Sequence, residues 1–118
     1  GHEIKMDTTT DDGGADSGPS PKRLMLASLA GCTGMDIVPM LIKMKVPFSN
    51  FSISIHAEVR EAYPKIYNRV KITYTIKIAV TDKPKMEKAI ALSQEKYCSV
   101  SAMFKSFAKL ETEIIILN

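Results

Sequence analysis

Apolar residues along this chain recur first at helical spacing and later at every second position, and these changes of spacing mark the predicted elements. Between residues 24 and 41 they follow three- and four-residue intervals, after Ser20 as a helix N-cap and Pro21 at the first helical position. They cover so much of the helix surface that we expect a central helix covered on most sides. Pro39 predicts a kink, or two helices end to end. The apolar positions are Leu24, Ala27, Leu29, Cys32, Met35, Val38 and Leu41.

From Phe51 the spacing changes to two, which predicts β-strands. Apolar and polar residues alternate over 51–59 and again over 70–80, so we expect a long antiparallel pair of strands with one buried face. Shorter alternations predict a strand at residues 3–6 and a closing strand over 113–117. His56 falls on the polar face of its strand, where a surface residue is more common than a catalytic base.

The remaining segments are predicted as a long loop and two helices. Residues 7–19 are rich in Asp, Gly and Thr and have no apolar period, which is typical of a loop. After a turn at 81–84, helical patterns follow over 86–97 and 100–107. The predicted order is therefore strand, helix, strand, strand, helix, helix, strand.

Composition narrows the class of protein. The 118 residues fit one domain, with 45% hydrophobic residues and a net charge of +3. The lysines are dispersed, so we expect no nucleic-acid partner, and we find no apolar run long enough to suggest a membrane span. Two cysteines are too few for a secreted disulfide framework, which favours a reducing, cytoplasmic location. Only His2 and His56 are histidines, so neither a metal site nor a cofactor is predicted.

The two cysteines are the candidate chemical groups. Cys32 and Cys98 lie 66 residues apart, each in a predicted helical segment. A structural cysteine favours bulky apolar neighbours, whereas a reactive thiol needs space and hydrogen-bond donors that stabilise the thiolate. The flanking residues leave both readings open, because they are small or carry hydroxyls: Ala30, Gly31, Thr33, Gly34, Ser99 and Ser101.

Two motifs connect these cysteines with a known family. The stretch at 20–32 reads Ser-Pro-Lys-Arg-Leu-Met-Leu-Ala-Ser-Leu-Ala-Gly-Cys, and the stretch at 97–101 reads Tyr-Cys-Ser-Val-Ser. Together with the order of elements, they resemble the OsmC/Ohr family of osmotically inducible and organic hydroperoxide resistance proteins, in its OsmC-like branch. The resemblance implies an α+β fold, with an antiparallel sheet wrapped around a long central helix in an intertwined homodimer. We expect residues 1–118 to form a single OsmC-like domain that lacks the family's N-terminal strands.

The resemblance also implies thiol peroxidase chemistry without a cofactor. By analogy with the family, Cys32 attacks an organic hydroperoxide as thiolate and becomes a sulfenic acid. Cys98 then condenses with it to a disulfide, which an external dithiol reductant reduces. Met35, Met103 and Phe104 would suit an organic substrate, although such residues are more often plain core.

One departure from the family keeps a second function open. Lys22 stands ten residues before Cys32, where the resemblance implies a Glu, and we expect the family's arginine-bearing N-terminal segment to be absent. The alternative is a redox-sensing or small-ligand-binding protein on the same scaffold, with weak or no peroxidase turnover. A third reading leaves both thiols buried and inert.

Nearby polar residues have two possible roles each. Asp36 lies one turn after Cys32 on the same helix face, and we expect it to hydrogen-bond to a neighbouring element. Ser99 and Ser101 are predicted either to donate to a sulfur or to cap the break before the last helix. Tyr97 is expected to crowd Cys98.

Overall fold

The computed structural model describes all 118 residues and has an α+β architecture, as predicted. Two single 3-10 turns and a five-residue π-helical turn, Ser93–Tyr97, complete the chain. The helices and strands are, in chain order, α1 Pro21–Lys43, β1 Ser49–Val59, β2 Tyr67–Lys77, α2 Lys83–Leu92, α3 Ser99–Lys105 and β3 Lys109–Leu117.

The three strands form one sheet in the order β1-β2-β3. β1 and β2 pair antiparallel, as the alternating pattern predicts, but β3 runs parallel to β2. The wholly antiparallel sheet is therefore wrong, and the sheet is mixed. The reason is the connection: α2 and α3 carry the chain back to the start of β2, which is the kind of helical crossover that parallel neighbours need.

The core lies between one face of this sheet and the helices. Alternate residues of β2, from Val70 to Ile76, are fully buried on the inner face. They meet the buried stripe of α1 and the inner side of α2, where Met86 and Ala89 are buried. The outer face is polar and carries the Lys71–Glu113 ion pair, with 2.8 Å between Nζ and Oε2.

α1 begins and continues as the sequence indicates, with one exception. The Ser20 hydroxyl accepts the backbone N–H of Arg23 at 3.4 Å, so Ser20 is the N-cap. The helix then runs through Pro39 without interruption, and the alternative of two helices is wrong. Pro39 removes one backbone bond, to the carbonyl of residue 35, on a side of the helix that solvent reaches.

Only one side of α1 is covered within a single chain, contrary to the expectation of cover on most sides. The buried residues of α1 are Leu29, Thr33, Ile37 and Leu41, one every four positions. Met35 and Ile42, on the opposite side, are 78% and 64% exposed. By length and composition α1 could also cross a membrane, which the sequence analysis did not anticipate. Core helices of water-soluble proteins pass the same test, and one side of α1 packs in the hydrophobic core of this chain.

The N-terminal segment contains an ordered loop but no strand. The strand expected at residues 3–6 is wrong, because neither edge of the sheet pairs with it. The loop is organised by the Asp7 carboxylate, which accepts the Ser17 hydroxyl and the backbone N–H groups of Thr8, Ala15 and Ser17. These hydrogen bonds, the Ser17 hydroxyl first, lower the pKa of Asp7 to about 2.

Candidate active site

The fold brings the two cysteines close together. Cys32 lies in the middle of α1, and Cys98 lies between the π-helical turn and α3. Both are free thiols, and Cys32 is near enough to raise the pKa of the Cys98 thiol. Their exposure differs: Cys32 is half-buried, whereas Cys98 is only 3% exposed. Two candidates from distant parts of the chain therefore form a single site.

Cys98 is held by the backbone on both sides. Its own N–H donates to the Ser93 carbonyl at 2.7 Å, which closes the π-helical turn. Its sulfur accepts the N–H of Ser101 at 3.3 Å, which makes Cys98 the N-cap of α3. The sequence analysis gave the capping role to Ser99 or Ser101, but the cap is the cysteine itself. Ser99 is exposed.

The surroundings of Cys98 act on its ionisation in opposite directions. Burial raises the pKa of the Cys98 thiol above its ordinary value, and the neighbouring Cys32 thiol raises it further. The Ser101 side chain and backbone N–H lower this pKa, but by less than burial raises it. The Cys98 site therefore favours a neutral thiol in the reduced protein.

The Ser101 hydroxyl is itself unusual. Ser101 is fully buried, and its Oγ makes no well-aligned hydrogen bond. It nevertheless lies close enough to the Cys98 sulfur to lower the pKa of that thiol. The hydroxyl is therefore a nearby but poorly aligned donor in this state.

A buried chain of hydroxyl groups lies behind the cysteines. Thr33 Oγ1 is 2.8 Å from both the Tyr74 hydroxyl and Ser93 Oγ, and Ser93 donates to Asp36 Oδ2 at 3.0 Å. An ionised carboxylate only accepts, so Ser93 must donate to Asp36. Thr33 then donates to Ser93, and Tyr74 donates to Thr33. Gln94 Nε2 donates to the Tyr74 oxygen at 3.3 Å.

This hydroxyl chain joins α1, β2 and the π-helical turn. The expected hydrogen bond from Asp36 to a neighbouring element is confirmed, and Ser93 is its partner. Sequence reasoning placed Tyr74 on the inward face of its strand, but it missed the hydrogen-bonded chain that Tyr74 forms with Thr33, Ser93 and Gln94. The available signal was a hydroxyl within each apolar stripe: Tyr74 sits among the inward positions of β2, and Thr33 lies four residues from both Leu29 and Ile37. Burial raises the pKa of Tyr74.

The basic residues of the first turn of α1, Lys22 and Arg23, do not act on the Cys98 thiol. Lys22 Nζ lies 5.2 Å from the centroid of the Tyr67 ring, a cation–π arrangement. Tyr67 in turn stacks on Phe104, with 6.4 Å between ring centroids. Within one chain Lys22 therefore covers an aromatic pair, and neither Lys22 nor Arg23 contributes to the pKa of Cys98.

The apolar candidates divide between core and surface. Phe104 is 2% exposed and belongs to the core, whereas Met35 and Met103 are 78% and 63% exposed. Tyr97 is 52% exposed, so the expectation that it crowds Cys98 is not supported by its position. Cys98 is instead sealed by the turn and helix around it.

An open apolar groove of about 620 Å³ lies between α1 and β1. Gly31, next to Cys32, faces open space there, because a Cβ at this position would have no atom within 4 Å. Gly34 has a packing role, since its Cβ would lie 3.1 Å from Ile53 Cδ1. The lining residues are Ala30, Gly31, Gly34, Met35, Val38, Pro39, Phe51, Ser52 and Ile53.

A family profile and a curated relative match most of this chain. The sequence profile of the family described as OsmC-like protein matches residues 13–113. Protein YhfA of Escherichia coli K12 is 29% identical over 105 residues, which span 89% of this chain and 75% of YhfA.

Solved structures share the fold. A hypothetical protein from Aquifex aeolicus VF5 superposes with a TM-score of 0.78 at 31% identity, over 87% of this chain and 77% of that protein. An organic hydroperoxide resistance protein OsmC from Legionella pneumophila superposes with a TM-score of 0.67 at 15% identity, over 95% and 80% of the two chains. At that low identity the second similarity supports the fold alone.

Proposed function

The chain belongs to the OsmC-like protein family, and on this premise we propose that it reduces organic hydroperoxides through a two-cysteine cycle. Membership of this family, whose resemblance implies thiol redox chemistry, supports a redox-related role. The observation that carries the finer proposal is the proximity of two free thiols, one half-exposed and one buried.

In the proposed cycle Cys32 is the nucleophile. Its thiolate attacks one oxygen of the hydroperoxide, the O–O bond breaks, and the alcohol leaves after taking a proton. Cys32 is then a sulfenic acid. The Cys98 sulfur attacks the Cys32 sulfur, water leaves, and a disulfide forms before further oxidation can occur. An external dithiol reduces this disulfide.

Exposure supports this division of roles. Cys32 keeps some exposed surface at which a peroxide can react, whereas Cys98 is sealed and its pKa is raised by burial. The buried thiol needs no substrate access, because its partner in the cycle is the neighbouring sulfur. The roles are therefore assigned as the family resemblance implies, with Cys32 peroxidatic and Cys98 resolving.

The proposal also includes a second copy of the chain, because one side of α1 is left uncovered. The exposed apolar side of α1, with Met35, Ile42 and the groove beside Gly31, is the kind of patch that marks an interface. We propose an obligate homodimer formed through this side of α1, in the cytoplasm.

The direct test is hydroperoxide consumption. Purified protein is mixed with cumene hydroperoxide and dithiothreitol, and peroxide loss is compared with that of Cys32→Ser. The proposal expects turnover that depends on Cys32. Equal rates in the two proteins would contradict it.

Redox sensing or ligand binding on the same scaffold is the second candidate. It is favoured by the position of Lys22, which lies on the Tyr67 ring within one chain and does not act on the Cys98 thiol. Mass spectrometry of the intact protein after one equivalent of peroxide separates the two functions. Rapid loss of two hydrogens per chain supports the peroxidase, and slow or absent loss supports the second candidate.

A further inference from the structure

The Ser101 hydroxyl is a buried donor that the reduced protein does not use. Ser101 has no exposed surface, and its Oγ lacks a well-aligned partner, although the N–H of the same residue donates to Cys98 Sγ at 3.3 Å. An unpaired buried hydroxyl is a cost to folding, because it has lost water and gained nothing in return. Such a group calls for a state of the protein in which it finds an acceptor.

The reductive step would create that acceptor beside Ser101. In the disulfide form, an incoming dithiol meets the Cys32 sulfur first, because Cys98 is 3% exposed and sealed by the π-helical turn and α3. Attack on Cys32 breaks the S–S bond, and the electron pair leaves on Cys98 as a thiolate. The rate of such an exchange rises when the leaving thiolate is stabilised.

We propose that Ser101 is the donor that stabilises the Cys98 thiolate as it leaves during reduction of the Cys32–Cys98 disulfide. Its N–H already faces the sulfur, and its hydroxyl turns to donate a second hydrogen bond once the charge develops. This inference rests on the redox cycle proposed above.

The step balances with a dithiol as reductant. One thiolate of the dithiol bonds to Cys32, and Cys98 departs as thiolate. The second thiol of the reductant then attacks the mixed disulfide and releases Cys32, leaving the reductant as a cyclic disulfide. The two protons of the dithiol end on the two cysteines.

The test begins from the disulfide form, which is prepared with diamide so that no peroxidase activity is needed. Reduction by dithiothreitol is followed by intact mass in the wild type, in Ser101→Ala and in the control Ser99→Ala. Ser99 belongs to the same motif but is exposed. We expect reduction to slow by about three- to tenfold in Ser101→Ala, since a hydrogen bond to a charged group is lost. Ser99→Ala should match the wild type.

Two further measurements separate this role from simple packing. In a Cys32→Ser background, Ser101→Ala should move the alkylation of Cys98 to higher pH, whereas Ser101→Thr, which keeps the hydroxyl, should move it less. The melting temperature of reduced Ser101→Ala should be unchanged or raised, because the variant removes an unpaired group. If the Ala variant does not fold, Ser101→Gly removes the same hydroxyl and takes its place in the test.

The outcomes are distinguishable. A wild-type protein that forms no Cys32–Cys98 disulfide with diamide would overturn both the redox cycle and this inference. A disulfide that is reduced equally fast in the wild type and Ser101→Ala would overturn this inference and leave the cycle intact. An equal loss of rate in Ser99→Ala would also contradict it, because the slower reduction would then not be specific to the Ser101 hydroxyl.

Discussion

The two sides of α1 have similar composition but different surroundings. On one side Leu29, Ile37 and Leu41 are fully buried against the sheet. On the other side Met35 and Ile42 are as apolar and remain exposed, beside the α1–β1 groove. Cys32 lies between these sides and is half-buried. A hydrophobic pattern thus identifies which residues need cover, but it does not distinguish cover by the same chain from cover by another copy.

The largest effect on assembly and folding is expected from a substitution on the exposed side of α1. Met35→Glu places a charge in the proposed interface, where burying it without a partner is costly. We expect the wild type to scatter light as a particle of twice 13.0 kDa, and the variant to lose this dimer together with its folded signal. Val80→Glu is the matched control, because Val80 is a similarly exposed apolar residue outside α1, at 70%. A wild-type mass of 13.0 kDa at micromolar concentration would contradict the proposed dimer.

On the covered side, Ile37→Ala should lower the free energy of unfolding while the dimer persists. Ile37 is fully buried, and truncating such a residue costs about 2–5 kcal/mol through lost apolar burial and the cavity left behind. Urea denaturation measures the loss, and light scattering checks the assembly. If Ile37→Ala dissociated the dimer without this loss of stability, Ile37 would belong to the dimer interface and not to the core of a single chain.

A smaller contrast uses two hydroxyl residues of the same helix. Thr33→Val removes the centre of the buried hydroxyl chain and leaves Tyr74 without its acceptor, which we expect to cost about 1–3 kcal/mol. Ser28→Ala is the control on the exposed side, where Ser28 Oγ donates only to the Leu24 carbonyl. Urea denaturation should show no loss for Ser28→Ala beyond a few tenths of a kcal/mol. Equal losses would mean that the hydroxyl chain does not stabilise the fold.

The smallest effect concerns pH and the sealed thiol. The pKa of Cys98 is raised above its ordinary value of 9.0, chiefly by burial, so the folded chain keeps this proton to higher pH than the unfolded chain. The stability that this difference contributes is complete below the ordinary value and is lost as pH rises through the raised one. Urea denaturation between pH 7 and pH 10.5 should therefore show a decline that is shallower in Cys98→Ala. An identical decline in both proteins would contradict the raised pKa.

Much of the fold could be predicted from the spacing of apolar residues. The start of α1 at Pro21, the end of β1 at Val59 and the inward face of β2 agree with the prediction, since each depends on local pattern. The parallel pairing of β3 and the missing strand at residues 3–6 did not follow from the sequence. Pairing depends on which strands meet in space, and a short alternation carries no information about its neighbour.

The candidate site was likewise only partly predictable from the local sequence. The cysteine pair came from a resemblance, because nothing local reveals that residues 66 positions apart will touch. The hydroxyl chain was missed because its bonds span 41 and 60 residues, from Thr33 to Tyr74 and to Ser93. Asp36 was predicted correctly, since a carboxylate within an apolar helix needs a partner wherever that partner lies.

The π-helical turn at Ser93–Tyr97 determines the angle around the helix axis at which the next residue, Cys98, is placed. A π turn holds more residues than an α turn, and each residue of a regular helix rotates the chain by about 100°. If this segment continued α2 as a regular α-helix, Cys98 would come at a different angle around the axis. Deleting Glu95 would thus leave every chemical group of the site in the chain and still change the position of the Cys98 sulfur relative to Cys32. The proximity of the two thiols therefore depends on the number of residues in this turn as well as on which residues they are.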